Sequence, residues 1–385
     1  MEKRKKIVIL GATGSIGTNT LKVLEGMQDA YEIYGLAAHS SWQQLAVLAQ
    51  KYHPALLALT DEREAQNLRV QGHFAGIILQ GAEALVEICE QADLVVLSVV
   101  GVAGLKPFVH CLQKGIPVAL ATKEAMVYGG RLARDLMDRT GTPVLPLDSE
   151  ISAIFQCLQG NRKAQVEEIL LTASGGPFRT WPLEKIQQAT LEQALQHPNW
   201  SMGAKITIDS ASMANKGLEI METRWMFDID PSKITVVVHP ESIVHSAVRY
   251  ADGCVMAQLG ATDMKLPIAY ALRYPERMPN CGEKLDLFQV GALHFERPDY
   301  ERFPCLKLAK QAIEQGSAMQ MVFNAANDAA VALFRAGAIG FWQISQIIEQ
   351  ALQSFSAAAL HSFEEIYALD GEIRSFAQQV AQQFV

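Results

Sequence analysis

The stretch KIVILGATGSIG, residues 6–17, decides how the chain begins to fold. Its first five residues have the apolar pattern of a short strand, and the glycines that follow have the spacing Gly-x-x-Gly-x-x-Gly before a helical pattern starts. A strand, a glycine turn and a helix in this order present open backbone N–H groups to a pyrophosphate. Because ordinary tight turns also contain spaced glycines, the order of the elements carries the prediction of a dinucleotide site.

Short apolar runs continue the strand pattern along the first part of the chain. They lie at residues 31–38, 55–59, 76–79, 94–100, 118–121 and 144–147, with helical patterns between them. Runs that are continuous rather than alternating are typical of strands covered on both faces. The sequence therefore predicts an α/β fold that begins with a doubly wound parallel sheet, Rossmann-like, over residues 1–148. Its ligands are expected at the carboxyl ends of the strands, where Ser98, Lys123, Glu124 and Asp148 lie.

The end of the second predicted strand bears on the choice of dinucleotide. An acidic residue at this place would bind the ribose of NAD, but the chain has His39-Ser40-Ser41. Hydroxyl groups and an imidazole suit the 2′-phosphate of NADP, although no arginine or lysine stands beside them. We predict NADP, with a plain surface histidine as the alternative reading of His39.

Two carboxylates stand where the last strand of this sheet is predicted to end. Asp148 and Glu150 are two residues apart and repel each other unless a hard cation lies between them. Carboxylate oxygens are the ligands that Mg²⁺ and Mn²⁺ prefer. A solvated turn in which Ser149 caps a helix is the alternative. Glu219, on the same face of a later predicted helix as Asn215, is available as a third ligand.

The middle of the chain shows further candidates for binding an anionic substrate. A predicted strand runs into a glycine loop at Ser174, which is either a phosphate cradle or a plain turn. The loop at residues 197–203 carries Trp200 between a proline and a glycine, which is typical of a closing flap, and a static packing loop is the alternative.

The residues after this loop predict a strand and then a helix. A strand is predicted at residues 205–208, followed by a helix that continues through Trp225. Ser210 near the start of this helix and Lys216 further along it are placed to bind an anionic substrate tail. Glu222 on the same helix is interpreted as a solvated acid.

The pattern of elements also predicts the organisation of the remaining chain. Asp252-Gly253 between two apolar runs predicts a hairpin, and hence an antiparallel or mixed second sheet. The end of the chain is helical in pattern. We predict a dinucleotide-binding domain, an α+β catalytic domain that holds metal and substrate, a linker, and a C-terminal α-helical domain, at residues 1–148, 149–273, 274–303 and 304–385.

Composition excludes several classes of function. Apolar residues make up 49% of the chain and charged residues 19%, which is typical of a globular protein with ample core. The net charge of −8, with no basic stripe, argues against nucleic acid as a partner, and no apolar run approaches the ~18 residues of a membrane span. The early apolar run is too short for a signal peptide, so we expect a cytoplasmic protein. The six cysteines form no Cys-x-x-Cys pair, which argues against a zinc cluster or a disulfide framework.

Seven motifs taken together make the chain similar to the 1-deoxy-D-xylulose 5-phosphate reductoisomerase family over nearly its whole length. They occur in the order of that family, at residues 11–17, 121–124, 147–150, 173–178, 197–203, 210–222 and 239–245. The chain departs from the family at His39 and Ser40, where a glycine and often a basic residue are usual, and at Thr122, where asparagine is usual. These departures concern the adenosine end of the cofactor rather than the chemistry.

The resemblance implies a role for each motif residue. The implied catalytic residues are Lys123, Asp148, Glu150 and Glu219, and the last three of these are the implied metal ligands. The implied substrate contacts are Ser149, Ser174, His197, Trp200, Ser210, Asn215 and Lys216. The implied NADPH contacts are Thr13, Gly14, Ser15, Ile16, Glu124, Gly203 and Met264.

The resemblance also implies a reaction, cofactors and a partner. It implies isomerisation and NADPH-dependent reduction of 1-deoxy-D-xylulose 5-phosphate to 2-C-methyl-D-erythritol 4-phosphate, with Mg²⁺ or Mn²⁺, in a homodimer. The residues themselves, taken without the resemblance, are also compatible with two other functions. A plain NADP-dependent dehydrogenase predicts activity without metal, and a regulatory protein that senses a dinucleotide predicts binding without turnover.

Overall fold

The computed structural model describes residues 4–72, 74–279 and 281–384, which form two compact units. The first unit takes in residues 1–122, 135–152 and 263–282, and the second takes in residues 123–134, 153–262 and 283–385. Residues 1–3 and 385, at the ends of the predicted first and last domains, lie outside the described residues.

The described residues contain two sheets, one in each unit. The strands of the first sheet are β1 (Lys5–Leu10), β2 (Tyr31–Ala38), β3 (Leu56–Leu59), β4 (Ile77–Gln80), β5 (Leu94–Leu97), β6 (Val118–Leu120) and β7 (Val144–Pro146). The strands of the second sheet are β8 (Val166–Ala173), β9 (Ile234–Val238), β10 (Val244–Tyr250) and β11 (Val255–Leu259). Every strand that the sequence predicts for the first sheet is present.

Helices follow most strands and make up nearly all of the C-terminal part. The first seven are α1 (Ser15–Leu24), α2 (Trp42–Tyr52), α3 (Glu62–Gln71), α4 (Ala84–Glu87), α5 (Leu105–Lys114), α6 (Lys123–Thr140) and α7 (Ser149–Leu158). The next six are α8 (Leu183–Gln187), α9 (Leu191–Ala194), α10 (Ala204–Ala211), α11 (Ala214–Phe227), α12 (Lys265–Arg273) and α13 (Leu287–Val290). The last four are α14 (Pro304–Gln315), α15 (Ser317–Arg335), α16 (Gln343–Ser354) and α17 (Phe363–Ala381). Among the described helices, none combines the length and apolar character needed to cross a membrane.

The sheet of the first unit is parallel throughout, in the order β4-β3-β2-β1-β5-β6-β7. The strand order reverses between β1 and β5, and in such sheets the ligand binds at this reversal. Apolar side chains such as Ile7, Leu36 and Val96 are fully buried between the sheet and its helices. Residues 263–282 return to this unit and place α12 against α1 and β7. This confirms the predicted doubly wound fold.

The sheet of the second unit is mixed, in the order β11-β10-β8-β9. Strand β10 is antiparallel to both neighbours, whereas β8 and β9 are parallel, and the hairpin predicted at Asp252-Gly253 joins β10 to β11. Helices α11 and α14 to α17 pack against one another, and the Trp225 Nε1–H donates to Gln320 Oε1 at 2.7 Å. The predicted mixed sheet and C-terminal helical region are both confirmed.

Two local predictions in the second unit are wrong. Residues 205–208 form part of the helix α10 rather than a strand, although Ile206, Thr207 and Ile208 favour strands. Ser210 consequently lies near the end of α10 and not near the start of α11, the helix that carries Lys216. Helix α10 is stabilised at its start by the Gly203 N-cap, whose carbonyl accepts from the Thr207 N–H and hydroxyl. It is stabilised further because one face of α10 is buried. Glu222 is not a solvated acid but is fully buried on α11, since that helix is covered on nearly all sides.

Candidate active site

The glycine turn after β1 depends on two glycines for its geometry. Gly11 has a φ of 87°, and a Cβ built there would lie 2.6 Å from the Ser98 carbonyl oxygen. A Cβ at Gly17 would lie 2.3 Å from the Gly11 carbonyl oxygen. The first turn of α1 has no side-chain cap, and Gly14 and Ser15 are exposed. Backbone N–H groups at this end therefore suit a pyrophosphate, which is the fit that a dinucleotide requires.

The remaining cofactor predictions in the first unit lie near this turn or along the same sheet. Thr13 and Ile16 are partly buried beside the glycine turn, and Met264 packs against the core at the start of α12. His39 directly follows β2, and its Nδ1 atom lies 2.6 Å from Thr60 Oγ1. Both His39 and Ser40 are exposed. No acidic residue occupies that strand end, as NADP requires.

Asp148 and Glu150 follow β7 directly, as predicted. The backbone N–H of Glu150 donates to Asp148 Oδ1 at 3.2 Å, so Asp148 helps to start α7. The Ser149 hydroxyl donates to Glu150 Oε2 at 2.5 Å. Each carboxylate accepts at up to about four positions, so a pair of carboxylates offers several oxygens to a cation. A buried Asp148 carboxylate beside a second acid also needs a positive charge nearby, which makes this donor set suitable for Mg²⁺ or Mn²⁺.

Glu219 lies at the centre of a buried polar cluster in the second unit. Its Oε1 atom accepts from Lys123 Nζ at 3.0 Å and from Asn215 Nδ2 at 2.5 Å, and its Oε2 atom accepts from Lys216 Nζ. Lys123 Nζ also donates to Asn215 Oδ1 at 2.8 Å. The Glu219 side chain is only 1% exposed, and the two lysines are almost as buried. The structure thus brings together four of the predicted site residues.

Lys123 joins this cluster from far away in the sequence. It begins α6, 96 residues before Glu219 on α11, whereas Asn215 and Lys216 are within one helical turn of Glu219. The helical spacing of Asn215 and Glu219 was sufficient to predict that they share a face, and this is confirmed. No local pattern pairs Lys123 with Glu219.

Ser174 and His197 form a second pair of predicted substrate residues. The His197 Nε2 atom lies 2.9 Å from Ser174 Oγ, while His197 Nδ1 accepts the backbone N–H groups of Asn199 at 3.2 Å and Trp200 at 3.0 Å. Because Nδ1 is an acceptor, this hydrogen-bond pattern assigns the proton of the neutral ring to Nε2, which donates to Ser174 Oγ. Ser174 Oγ also accepts from the Gly176 N–H at 3.2 Å, so the Ser174 O–H remains to donate to a ligand.

The loop at residues 197–203 is anchored at its start. Asn199, which the sequence did not single out, donates through Nδ2 to the Pro240 carbonyl at 2.5 Å and to Ser242 Oγ at 2.9 Å. Trp200 is partly buried, with its ring centroid 6.0 Å from that of His245, whereas Gly203 is exposed. The loop ends where α10 begins, and Ser210 lies near the far end of that helix.

Burial keeps the His197 ring neutral and gives the loop a pH dependence. It lowers the pKa of His197 to about 4 from the usual 6.5, so the folded protein binds this proton less readily than the unfolded chain. Stability that is present above about pH 6.5 is therefore expected to fall progressively toward pH 4, where a proton on Nδ1 would face two N–H donors.

Urea unfolding between pH 7 and 4 checks this prediction. Wild type should lose more free energy of unfolding over that range than His197→Gln, which cannot titrate. Equal losses in the two proteins would show that His197 does not carry the effect.

A parallel sheet with a glycine turn at its point of reversal is typical of proteins that bind a dinucleotide. Together with the buried cluster of lysines and a carboxylate, it fits the class of dinucleotide-dependent oxidoreductases. Residues 7–130 match the family model described as 1-deoxy-D-xylulose 5-phosphate reductoisomerase, and residues 144–227 match the model of its C-terminal domain. Residues 259–376 match the model described as DXP reductoisomerase C-terminal domain. The chain belongs to the 1-deoxy-D-xylulose 5-phosphate reductoisomerase family and is an NADP-dependent oxidoreductase.

Individual relatives agree over nearly the whole length. The reductoisomerase of Geotalea uraniireducens is 48% identical over 369 residues, which cover 95% of this chain and 96% of that protein. The structure is similar to that of the Zymomonas mobilis reductoisomerase in complex with NADPH, with a TM-score of 0.92, 40% identity and coverage of 98% and 99%. It is also similar to a DOX-P reductoisomerase in complex with NADPH, fosmidomycin and magnesium, with a TM-score of 0.93, 38% identity and 98% coverage of each chain.

Proposed function

We propose that this protein converts 1-deoxy-D-xylulose 5-phosphate to 2-C-methyl-D-erythritol 4-phosphate, with NADPH as reductant and Mg²⁺ or Mn²⁺ as cation, as a step of isoprenoid biosynthesis. The observation that carries the proposal is the buried cluster of Lys123, Asn215, Lys216 and Glu219, in a chain that aligns with a member of this family over 95% of its length. A sensor of dinucleotides has no evident need for such a costly arrangement of buried charges.

We assign the cation to Asp148, Glu150 and Glu219. Their oxygens form the hard donor set that Mg²⁺ and Mn²⁺ prefer, and the complex of a relative with magnesium supports the choice of metal. When bound, the cation supplies polarisation of substrate oxygens, and NADPH supplies hydride. The chain itself places the ammonium groups of Lys123 and Lys216 against the buried Glu219 carboxylate, which compensates its charge.

We assign the substrate phosphate to Ser174, Ser210, Asn215 and Lys216. The available Ser174 hydroxyl proton and the buried Lys216 ammonium group are donors that a phosphate dianion accepts from. His197 orients Ser174, since its Nε2–H donates to the Ser174 oxygen and leaves the hydroxyl proton free for the ligand. Lys123 and Ser149 remain as contacts to the sugar.

We assign the flap to residues 197–203, with Trp200 covering the bound sugar. An apolar ring on a loop suits a cover that excludes water from the reacting centre, and the Asn199 hydrogen bonds hold the start of this loop in place. The NADPH contacts proposed are Thr13, Gly14, Ser15, Ile16, Glu124, Gly203 and Met264. Most of these NADPH contacts lie in residues 1–148, and most of the metal and substrate contacts lie in residues 149–273.

The proposed reaction is tested by following NADPH consumption with 1-deoxy-D-xylulose 5-phosphate, with and without a chelator. We expect turnover only with substrate and a divalent cation, and recovery when Mg²⁺ or Mn²⁺ is restored after chelation. Turnover that survives chelation would favour a plain dehydrogenase, whereas NADPH binding without turnover would favour a sensor.

We also propose that the enzyme is a cytoplasmic homodimer. The described chain has six free cysteines, which suits a reducing compartment. Strand β11 lies at the edge of its sheet, and its Val255 and Met256 side chains are 49% and 45% exposed. An exposed apolar edge strand is a ready surface for pairing with a second copy.

Sedimentation velocity checks the dimer. Wild type is expected at about twice the 42.2 kDa chain mass, and Met256→Lys should shift it to the monomer because a lysine on an edge strand opposes pairing. Val70→Lys, which changes a valine on α3 that is 69% exposed, is the matched control and should leave the dimer intact. A monomeric wild type would rule out this assembly.

A further inference from the structure

Lys205 is held by three carboxylates that come from three different helices. Its Nζ atom lies 2.8 Å from Asp209 on α10, 3.0 Å from Asp328 on α15 and 3.2 Å from Glu124 on α6. These three carboxylates are 10% exposed or less, and the lysine side chain is 23% exposed. One ammonium group is therefore the shared partner of three acids that are nearly removed from water.

The cluster continues through other buried polar groups. Asn327 Nδ2 donates to Asp209 Oδ1 at 2.9 Å, and an Arg374 terminal nitrogen lies 3.3 Å from Asp328 Oδ2. Arg374 Nε also donates to Asp370 Oδ2 at 2.7 Å, both residues lying on α17. The Tyr128 hydroxyl of α6 donates to Asp370 Oδ1 at 2.7 Å. Four helices, α6, α10, α15 and α17, are thus connected through one polar network.

Two ends of this network adjoin residues of the proposed site. Glu124 directly follows Lys123, the partner of Glu219, at the start of α6. Lys205 stands two residues after Gly203, where the loop at residues 197–203 ends and α10 begins. The Lys205 to Glu124 contact is therefore a direct link between the first turns of two helices that carry proposed cofactor and substrate residues.

We propose that Lys205 is a positioning residue: its ammonium group, held by Glu124, Asp209 and Asp328, fixes the first turn of α6 relative to the first turn of α10. Lys123 and Glu124 are thereby placed relative to Gly203 and the loop that precedes it. The inference rests on the proposed function, because it assigns Lys205 an effect on NADPH binding and turnover without any contact to the reacting atoms.

The charges around Lys205 agree with a fixed rather than a mobile side chain. Burial by itself lowers the pKa of Lys205, but Asp209, Asp328 and Glu124 outweigh it and raise that pKa well above its ordinary value. The ammonium group is accordingly charged throughout the neutral range. Removing it leaves three carboxylates facing one another, so the first turns of α6 and α10 would move apart.

The test compares Lys205→Met with Lys205→Arg, using the affinity for NADPH from nicotinamide fluorescence and a separate measurement of kcat. Lys205→Met is expected to weaken NADPH binding and to lower kcat by about tenfold each, since displacing reacting groups by about 1 Å can cost a hundredfold. Lys205→Arg keeps the charge and should stay within about threefold of wild type. A variant that only lost stability would lower the active fraction, and hence kcat, but would leave the Kd for NADPH unchanged.

Lys163→Met is the matched control, because Lys163 forms an exposed ion pair with Asp228 at 2.7 Å. This variant is expected to leave the Kd for NADPH and kcat unchanged. A folded Lys205→Met with the Kd and kcat of wild type overturns the inference.

Should that variant fail to fold, Asp328→Asn is the second test, since it removes one carboxylate and keeps the lysine. Its expected effect is a smaller loss in both constants, and unchanged constants overturn the inference. A wild type that binds no NADPH would refute the proposed function instead.

Discussion

Glu219→Gln is expected to lower metal-dependent turnover by about a thousandfold, in the range seen when one group that stabilises the transition state is removed. The change keeps the shape of the side chain and removes its negative charge. Glutamine is a poor ligand for Mg²⁺ beside two carboxylates, and its amide nitrogen would meet the ammonium group of Lys123 or Lys216. Cation binding and catalysis should therefore both weaken, because both depend on the negative charge of Glu219.

The same variant should be less stable than wild type. Two buried ammonium groups would lose the carboxylate that neutralises them, and breaking a buried ion pair costs about 3–5 kcal/mol. Asn215 Oδ1 still accepts from Lys123, so the loss should fall toward the lower end of that range. NADPH binding in the absence of metal should change by less than about threefold, since no predicted cofactor contact is altered.

Measurements of kcat against Mg²⁺ concentration, of NADPH affinity and of thermal unfolding separate these effects. Glu168→Gln is the matched control, because Glu168 on β8 forms an ion pair with Arg249 outside the predicted site. It should keep its turnover and its metal dependence. Turnover of Glu219→Gln within tenfold of wild type, at saturating Mg²⁺, would contradict the assignment of Glu219 as a metal ligand.

How much of this site the sequence predicts depends on how local its signals are. The glycine turn at residues 11–17 and the helical pair Asn215 and Glu219 are visible because strand, turn and helix spacings are short-range rules. The pairing of Lys123 with Glu219 and of Lys205 with Glu124 joins residues 96 and 81 positions apart, which no spacing rule reaches. These contacts are set by how whole helices pack.

The two wrong local predictions have the same origin. The run at residues 205–208 has β-branched side chains that favour a strand, but its helix is fixed by a Gly203 cap and by the packing of one face. Glu222 would be solvated only if α11 had a face exposed to water. Almost every residue of that helix is buried. Tertiary packing, which a single sequence does not display, decided both.

Gly17→Ala is expected to weaken NADPH binding by about a hundredfold, because the added methyl group meets backbone rather than side chains. A Cβ at Gly17 would lie 2.3 Å from the Gly11 carbonyl oxygen and 2.6 Å from Ala12 Cα, and neither atom can turn aside. Helix α1 must then shift away from the glycine turn. Since the N–H groups at the start of α1 are the proposed pyrophosphate donors, a small shift misplaces all of them together.

The stability of Gly17→Ala should fall by about 1–3 kcal/mol, which is typical of overpacking. Gly26→Ala is the matched control, because its Cβ would have an ordinary 3.5 Å contact with the Val23 carbonyl oxygen, just beyond the other end of α1. Fluorescence titration with NADPH should show wild-type affinity for Gly26→Ala and the loss only for Gly17→Ala. If Gly17→Ala is folded and binds NADPH as wild type does, the dinucleotide does not bind at the start of α1, because a displaced helix end could not leave its affinity unchanged.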